Sequence, residues 1–309
     1  MLLAIVALFG LGYGVYCFCF KKEKSLNGKV AVISGAGTGI GQLLAVKLAT
    51  EHGMKVALWG RKKGPLEETQ KQIVAKGGKA EVWTCDVADR KQVYSVAKEV
   101  QASLGDVYLL VNNAGRVSGD TLLNISDEDC IKSFEVNSLS HLWTIKAFLP
   151  KMLEKKTDGG HIVSIASMAG QLGTAGLADY CGSKFAAVGI DEAMRFELRK
   201  LRQHGKGDVK TTCICPFYID TGLFDGAGVP FPASLLMPVL KTEYVVDQTI
   251  AAIRQNREVL LMPFFCSLVG LGRAILPVFG FDLLMEALGV SNSMDHADAG
   301  RSPRDKKKS

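Results

Sequence analysis

Tyr180 and Lys184 have the residue types and the spacing that proton transfer requires. They stand four positions apart, and residues with that spacing share one face of a helix. An ammonium beside a phenol stabilises the phenolate and lowers the pKa of tyrosine from about 10 toward neutral pH, as a general acid–base residue requires. Ser167 lies thirteen residues before Tyr180, at the end of a predicted strand, where its hydroxyl can hold a substrate oxygen. These side chains predict proton transfer to or from a carbonyl or alcohol oxygen.

A glycine-rich segment, residues 34–41 with the sequence SGAGTGIG, predicts a site for a dinucleotide. It follows a predicted strand and precedes a predicted helix. Glycines let the backbone approach a pyrophosphate closely, and the helix N-terminus offers free N–H groups and the positive end of its dipole. The predicted cofactor contacts in this segment are Gly35, Thr38, Gly39, Ile40 and Gly41.

The end of the second predicted strand indicates which dinucleotide is bound. An acidic residue there, about twenty residues beyond the glycines, would bind the adenosine ribose and repel a 2′-phosphate. This chain has Gly60 at that place, followed by Arg61 and Lys62. A guanidinium suits phosphate through its planar fork of donors. The sequence therefore favours NADP(H), with Arg61 on the 2′-phosphate and Lys62 as support, and NAD(H) stays the alternative.

The elements that must position these side chains alternate between strands and helices from residue 28 onward. Short β-branched runs predict strands at Lys29–Ser34, Lys55–Trp59, Ala80–Cys85, Val107–Val111, His161–Ile165, Val209–Cys215 and Glu258–Met262. The stretches between them predict helices near 40–52, 65–77, 89–103, 127–154 and 178–203. This alternation predicts right-handed βαβ units. The expected fold class is α/β, a single domain over 28–262 with a Rossmann-type doubly wound parallel sheet.

The net charge of +6 comes from the two ends of the chain rather than from its body. Three lysines and one glutamate within 21–24 contribute +2, and five cations and one aspartate within 301–309 contribute +4. The sum over 25–300 is therefore zero, which argues against a nucleic-acid partner. The eight cysteines include no C-x-x-C pair and have no histidine at zinc spacing, so no metal site is expected.

Residues 1–20 predict a membrane anchor helix. The run contains no charge and no proline, and as a helix it spans about 30 Å, the thickness of a bilayer's hydrocarbon core. The basic collar that follows, residues 21–27, places the domain in the cytosol by the positive-inside rule. The expected membrane is the endoplasmic reticulum, with a lipid droplet as the alternative.

A second apolar stretch, residues 263–290, is interrupted by prolines and charges and does not predict a clean span. It suits a helix pair that rests on the membrane, or a buried strand followed by an ordinary amphipathic helix. Residues 291–309 form a basic tail that is expected to be disordered.

Taken in their order along the chain, these motifs resemble the short-chain dehydrogenase/reductase superfamily. The matching residues, over 28–262, are Gly35-x-x-x-Gly39-x-Gly41, Asn112-Asn113-Ala114-Gly115, Ser167, Tyr180-x-x-x-Lys184 and Pro216. The resemblance implies that Tyr180 gives or takes the proton, that Ser167 orients the substrate and that Lys184 also binds the nicotinamide ribose. It further implies a proton relay through Asn137, an adenine contact by Asp86 and a cofactor contact by Asn113.

A narrower resemblance concerns the membrane-bound branch of that superfamily, with its epidermal retinol dehydrogenases, retinal reductases and lipid-droplet hydroxysteroid dehydrogenases. It rests on the apolar N-terminus, Leu58-Trp59, KAFLP at 146–150 and PFYI-x-TG at 216–222. Two departures stand out: Phe217 replaces the usual glycine after Pro216, and several relatives carry aspartate where this chain has Gly60. The resemblance also implies that the apolar segment 221–240 forms a lid over the substrate.

The sequence thus predicts a membrane-anchored oxidoreductase that uses NADP(H) to reduce a lipophilic aldehyde or ketone, such as a retinoid, a steroid or another lipid. Ser167 and Tyr180 are the predicted substrate contacts. Membrane lipid is an expected partner, and the helix-paired dimers frequent in the family allow a homodimer. Two alternatives stay open: NAD-dependent oxidation of the same substrate class, and a catalytically idle protein on a lipid surface.

Overall fold

A parallel sheet of seven strands in the order β3-β2-β1-β4-β5-β6-β7 forms the centre of the structure. The computed structural model describes residues 23–224, 228, 233–290 and 294. The strands are β1 (Val30–Ser34), β2 (Lys55–Gly60), β3 (Lys79–Thr84), β4 (Val107–Asn112), β5 (Gly160–Ile165), β6 (Val209–Pro216) and β7 (Val259–Met262). Their order and parallel pairing confirm the predicted Rossmann-type doubly wound fold.

Helices cover both faces of this sheet because its central strands alternate apolar side chains toward both. Ile33 of β1 packs in one layer of the core, and Val32 packs in the other. The helices are α1 (Gly39–Thr50), α2 (Lys63–Ala75), α3 (Arg90–Leu104), α4 (Asp127–Phe134), α5 (Ser140–Leu153), α6 (Ala178–Gln203), α7 (Thr242–Gln255), α8 (Cys266–Ile275) and α9 (Val278–Ala287). The first layer is completed by α1, α2 and α7, and the second by α3, α5 and α6. All seven strands therefore end at one edge of the sheet, and this edge carries the site described below.

The segment that the sequence predicts as one helix near 127–154 is interrupted. A π-helical turn, Glu135–Leu139, separates α4 from α5. Such a turn holds one extra residue and is frequent at functional sites. It carries Asn137, which is fully buried and bonded to the backbone of Arg116. The hydrogen bonds between Asn137 and Arg116 occur at this wider turn. The helical pattern of the sequence does not reveal the turn.

The predicted membrane anchor, residues 1–20, lies outside the described residues, as do residues 21–22 of the collar and residues 291–293 and 295–309 of the tail. Within the part of the chain that the structure describes, no helix has both the length and the apolar character needed to cross a bilayer. The stretch 263–290 forms the short helices α8 and α9, which pack in one cluster with Cys213 and Cys215 of β6.

Candidate active site

The loop between β1 and α1 brings backbone close to backbone, and its glycines make this approach feasible. Gly35 and Gly39 have φ angles of +67° and +56°, a conformation that favours glycine. A Cβ added at Gly41 would lie 2.3 Å from the carbonyl oxygen of Gly35 and 2.4 Å from Nδ2 of Asn113. The same Asn113 amide donates to the carbonyl of Ser34 at 2.9 Å. The chain after β4 therefore ties the glycine loop in place.

Ser167, Tyr180 and Lys184 line one cavity of about 370 Å³ at the carboxyl ends of the strands, together with residues of the glycine loop. Ser167 follows β5, and its hydroxyl accepts a hydrogen bond from the N–H of Ala169 at 3.1 Å. Tyr180 and Lys184 lie in the first two turns of α6, and both are buried. The fold thus brings together the three residues that the sequence singled out for proton transfer.

Burial, not the neighbouring charge, dominates the ionisation of Tyr180, contrary to the expectation from its spacing with Lys184. The Lys184 ammonium donates to the carbonyl of Ile165 at 2.8 Å and lies 5.7 Å from the centre of the Tyr180 ring. Burial raises the pKa of the Tyr180 phenol well above its usual value, and a hydrogen bond with Ser167 opposes that rise. Burial also lowers the pKa of Lys184 to about 8. Desolvation penalises each charged form, so Tyr180 stays protonated near neutral pH.

Asn137 holds the chain after β4 beside this cluster. Its Oδ1 accepts from the N–H of Arg116, and its Nδ2 donates to the Arg116 carbonyl and to Oγ of Ser183, each at 2.9 Å. A Cβ added at Gly115 would lie 3.5 Å from Oδ1 of Asn137 and 3.8 Å from Nζ of Lys184. Asn137 therefore positions backbone next to Lys184, and its role in proton relay stays a prediction.

A second cleft, of about 690 Å³, extends from the glycine loop along the ends of β2 and β3. Gly35 and Thr38 line both this cleft and the first cavity, so the two spaces adjoin. The three residues that the sequence placed near the adenosine half of a dinucleotide, Arg61, Lys62 and Asp86, all line it.

Two further cations in the second cleft were missed by the sequence analysis. Arg116 lines it from the loop after β4, where its guanidinium pairs with Asp129 at 2.5 Å. Lys132 of α4 lines it as well, with Nζ 3.8 Å from a carboxylate oxygen of Asp86. The spacing of these two residues along the sequence does not place them near the end of β2. They reach the second cleft only because the chain crosses over between strands.

Aromatic rings form part of the wall around Tyr180. The rings of Tyr180 and Phe224 meet edge to face with centroids 5.4 Å apart, and Phe224 meets Tyr218 in the same manner at 5.4 Å. Phe217, Leu223 and Phe224 line the cavity that holds Tyr180. The described part of segment 221–240 thus supplies apolar wall to the cavity, while residues 225–227 and 229–232 lie outside the described residues.

Comparison with known proteins determines the family of this chain. Residues 29–228 match the family model described as short chain dehydrogenase. The chain belongs to the short-chain dehydrogenase family. Among relatives in this family, it is 42% identical over 272 residues to epidermal retinol dehydrogenase 2 of Mus musculus, covering 87% of this chain and 85% of that protein. It is 39% identical over 277 residues to estradiol 17-beta-dehydrogenase 11 of Pongo abelii, covering 90% and 89%.

Solved structures of other dehydrogenases share the fold. One from Burkholderia phymatum, in complex with NAD, has a TM-score of 0.71 and 29% identity, covering 84% of this chain and 96% of that chain. An alcohol dehydrogenase from Thermococcus sibiricus, complexed with 5-hydroxy-NADP, has a TM-score of 0.65 and 27% identity, covering 76% and 95%. Structural neighbours of this short-chain dehydrogenase therefore include complexes with either kind of dinucleotide.

The residues of this short-chain dehydrogenase fit such a dinucleotide. Thr38 stands at the N-cap of α1, but its side chain makes no capping bond, so the first N–H groups of the helix are left for a bound anion. The close contacts at Gly41 leave no room for a side chain at that position of the glycine loop. The second cleft contains Arg61, and the first cavity, which adjoins it, contains Lys184.

Proposed function

We propose that the protein is an NADP(H)-dependent oxidoreductase that interconverts a lipophilic alcohol and its aldehyde or ketone, with reduction favoured. The observation that carries this proposal is the single cavity in which Ser167, Tyr180 and Lys184 meet the glycine loop. The Tyr180 phenol is protonated near neutral pH, and a protonated phenol is the form that donates a proton to a carbonyl oxygen. The reductive direction rests on the proposed use of NADPH.

The dinucleotide supplies the hydride when it is bound, and the chain's own residues handle the substrate oxygen. The Ser167 hydroxyl donates a hydrogen bond to that oxygen and fixes it beside Tyr180. Tyr180 transfers its phenolic proton to the same oxygen. The Lys184 ammonium stabilises the phenolate that is left and binds the nicotinamide ribose. Asn137 contributes through the backbone of the chain after β4, which it holds next to Lys184.

A preference for NADP(H) is supported by the charges around the second cleft. Its described lining contains four cations, Arg61, Lys62, Arg116 and Lys132, and one carboxylate, Asp86. β2 ends at Gly60, so no carboxylate stands there to repel a 2′-phosphate. We assign Arg61 to the 2′-phosphate with Lys62 as support, and Asp86 to the adenine.

A lipophilic substrate is supported by the wall of the cavity and by the relatives. The rings of Phe217 and Phe224 and the side chain of Leu223 line the space in front of Tyr180, and apolar walls select apolar ligands. The names of the relatives reported above specify retinol and estradiol, both of them lipophilic alcohols. We therefore assign a retinoid, a steroid or a comparable lipid as the substrate of this chain.

We assign the enzyme to a membrane through two segments. Residues 1–20 would anchor it in the endoplasmic reticulum with the domain facing the cytosol, and 263–290 would rest on the surface of the same membrane. Soluble monomers rarely expose large contiguous apolar patches. The exposed apolar side chains of 263–290 include Leu271 at 56%, Ile275 at 69%, Val278 at 78% and Phe279 at 76%.

The test uses membranes from cells that express the full-length chain. They are assayed with a panel of lipophilic aldehydes and ketones, including retinal and steroid ketones, with NADPH and with NADH. We expect NADPH-dependent reduction, and a loss of about a hundredfold or more in Tyr180→Phe, which lacks only the phenolic oxygen. Unchanged reduction by Tyr180→Phe would reject the catalytic role of Tyr180.

The same assay separates the two alternatives. Oxidation of retinol or a hydroxysteroid with NAD, faster than any reduction with NADPH, would support NAD-dependent oxidation; the relatives' names specify dehydrogenases of retinol and estradiol. Absence of turnover in both directions, with the chain intact in the membrane, would support a catalytically idle protein on a lipid surface.

A further inference from the structure

A third cleft, of about 350 Å³, opens at the amino ends of β6 and β7, at the edge of the sheet opposite the active site. Arg195, Arg199 and Arg202 line it from α6. Their spacing of four and three residues places them on one face of that helix. Lys210 of β6 adds a fourth cation, and Glu258 is the carboxylate in the described lining.

The cations of this cleft exceed the carboxylates that pair with them by one. The ion pairs are Arg195–Glu192 at 3.1 Å, Arg199–Glu258 at 3.5 Å, Arg202–Asp208 at 3.2 Å and Lys210–Asp208 at 2.6 Å. A fourth carboxylate, Asp191, is buried and attracts Arg195 without forming an ion pair with it, so the charges around the cleft balance. The carboxylates hold the long cationic side chains in place, and the four cations in the lining attract an anion into the cleft.

The arginines retain hydrogen-bond donors that these pairs do not use. A guanidinium carries five N–H groups in a fixed fork, and one carboxylate takes one or two of them. Each of the three arginines pairs through a single nitrogen, which is Nη2 in Arg195 and Arg199 and Nη1 in Arg202. A group with several acceptor oxygens, such as a phosphate, satisfies such donors better than a single carbonyl does.

The cleft lies beside the point where the chain enters the described structure. The N–H of Lys24 donates to the carbonyl of Arg254 at 2.9 Å, and the Arg254 guanidinium pairs with Glu23 at 2.8 Å. Two residues farther along the chain, Asn256 lines the cleft. Lys21 and Lys22 separate the uncharged run 1–20 from Glu23. An anchor that ends here would bring the headgroups of its membrane to the cleft.

We propose that this cleft binds the phosphate group of a membrane phospholipid. The inference rests on the membrane attachment proposed above. The described lining of the cleft holds four cations and one carboxylate, Glu258, and the guanidinium groups of the arginines supply hydrogen bonds to a phosphodiester. Free inorganic phosphate offers the same chemistry without acyl chains, so the experiment compares the two sources directly.

The full-length chain, purified in neutral detergent micelles, is titrated with a short-chain phosphatidylglycerol and separately with inorganic phosphate, and thermal unfolding is recorded. We expect the lipid to raise the Tm at lower concentration than inorganic phosphate does. Arg199→Gln should weaken the apparent affinity for the lipid about tenfold, because it removes a charged hydrogen-bond donor. Lys71→Gln, on the exposed face of α2, is the control and should bind as the wild type does.

Glu258→Gln separates a binding role from a structural one. It breaks the same ion pair as Arg199→Gln, but it removes a negative charge, so it should bind the lipid more tightly than the wild type. Equal weakening by both variants would overturn the site, and inorganic phosphate binding as well as the lipid would overturn the assignment to phospholipid. Because binding is read without turnover, a chain that fails to reduce any carbonyl still tests this inference.

Discussion

The Lys184 ammonium lies 5.7 Å from the centre of the Tyr180 ring and donates to the carbonyl of Ile165. Both side chains are buried, and burial favours the neutral form of each: it raises the pKa of Tyr180 and lowers the pKa of Lys184. The charged lysine that the proposed reaction needs is therefore held at a cost to the fold. Such opposition between stability and activity is common at active sites.

Lys184→Met should remove a pH dependence from the stability of the fold. The pKa of Lys184 is lowered from 10.5 to about 8 by burial, so between these values the unfolded chain binds a proton that the folded chain does not. The contribution of Lys184 to the stability of the wild type should rise across this window, by about 3 kcal/mol at most. We expect the Tm of Lys184→Met to fall relative to the wild type as the pH rises from 8 to 10. Parallel Tm curves for the two proteins would contradict this account, and exposed Lys71→Met should show no such change.

Gly41→Ala should disrupt the dinucleotide cradle. The added Cβ would lie 2.3 Å from the Gly35 carbonyl oxygen and 2.4 Å from Nδ2 of Asn113, and the glycine loop has to move to relieve that contact. We expect at least about a tenfold loss in dinucleotide affinity, measured by fluorescence titration. Gly64→Ala is the matched control, because a Cβ there meets nothing within 4 Å. Wild-type affinity in Gly41→Ala would show that the loop does not hold the dinucleotide.

Local spacing in the sequence was sufficient to find the centre of the candidate site. Tyr180 and Lys184 share a helix face whatever the tertiary structure is. Ser167 and the glycine loop follow strands, and parallel strands end at one edge of their sheet. These relationships depend on secondary structure alone, and the fold preserves them.

The features that the sequence did not reveal depend on burial and on distant parts of the chain. The raised pKa of Tyr180 results from the surrounding protein and not from its neighbour four residues away. Arg116 and Lys132 reach the second cleft through the crossover between strands. The π-helical turn that carries Asn137 is hydrogen-bonded to Arg116, twenty-one residues earlier in the chain. Each requires the three-dimensional structure, because local pattern carries no information about it.

Arg61→Ala should shift the choice between dinucleotides. Arg61 lines the second cleft beside Gly60, where we assign it to the 2′-phosphate. Loss of its guanidinium should raise the KM for NADPH about tenfold to a hundredfold, with little effect on the KM for NADH. Lys63→Ala is the control, because Lys63 is two residues away and pairs with Glu67 on the surface of α2. An unchanged ratio of kcat/KM for NADPH and NADH in Arg61→Ala would contradict the assignment.

His141 of α5 is the clearest case of a buried polar side chain that costs stability. It is 1% exposed, and both ring nitrogens are shielded without a hydrogen-bond partner among the described residues. Burial lowers its pKa from 6.5 to about 3. Below pH 6.5 the unfolded chain therefore binds a proton that the folded chain does not, and stability is lost by up to about 1.4 kcal/mol for each pH unit down to about 3.

His141→Phe should relieve this cost, since phenylalanine has a similar shape and no polar atom to leave unpaired. We expect the variant to match or exceed the Tm of the wild type at pH 7, with an advantage that grows as the pH falls to 4.5. His161 is equally buried, but its ring bonds Lys24 and Thr212, each at 2.7 Å, so His161→Phe should lose stability at pH 7. A Tm difference between His141→Phe and the wild type that stays constant from pH 7 to 4.5 would mean that the folded protein takes up the proton at His141 as readily as the unfolded chain does.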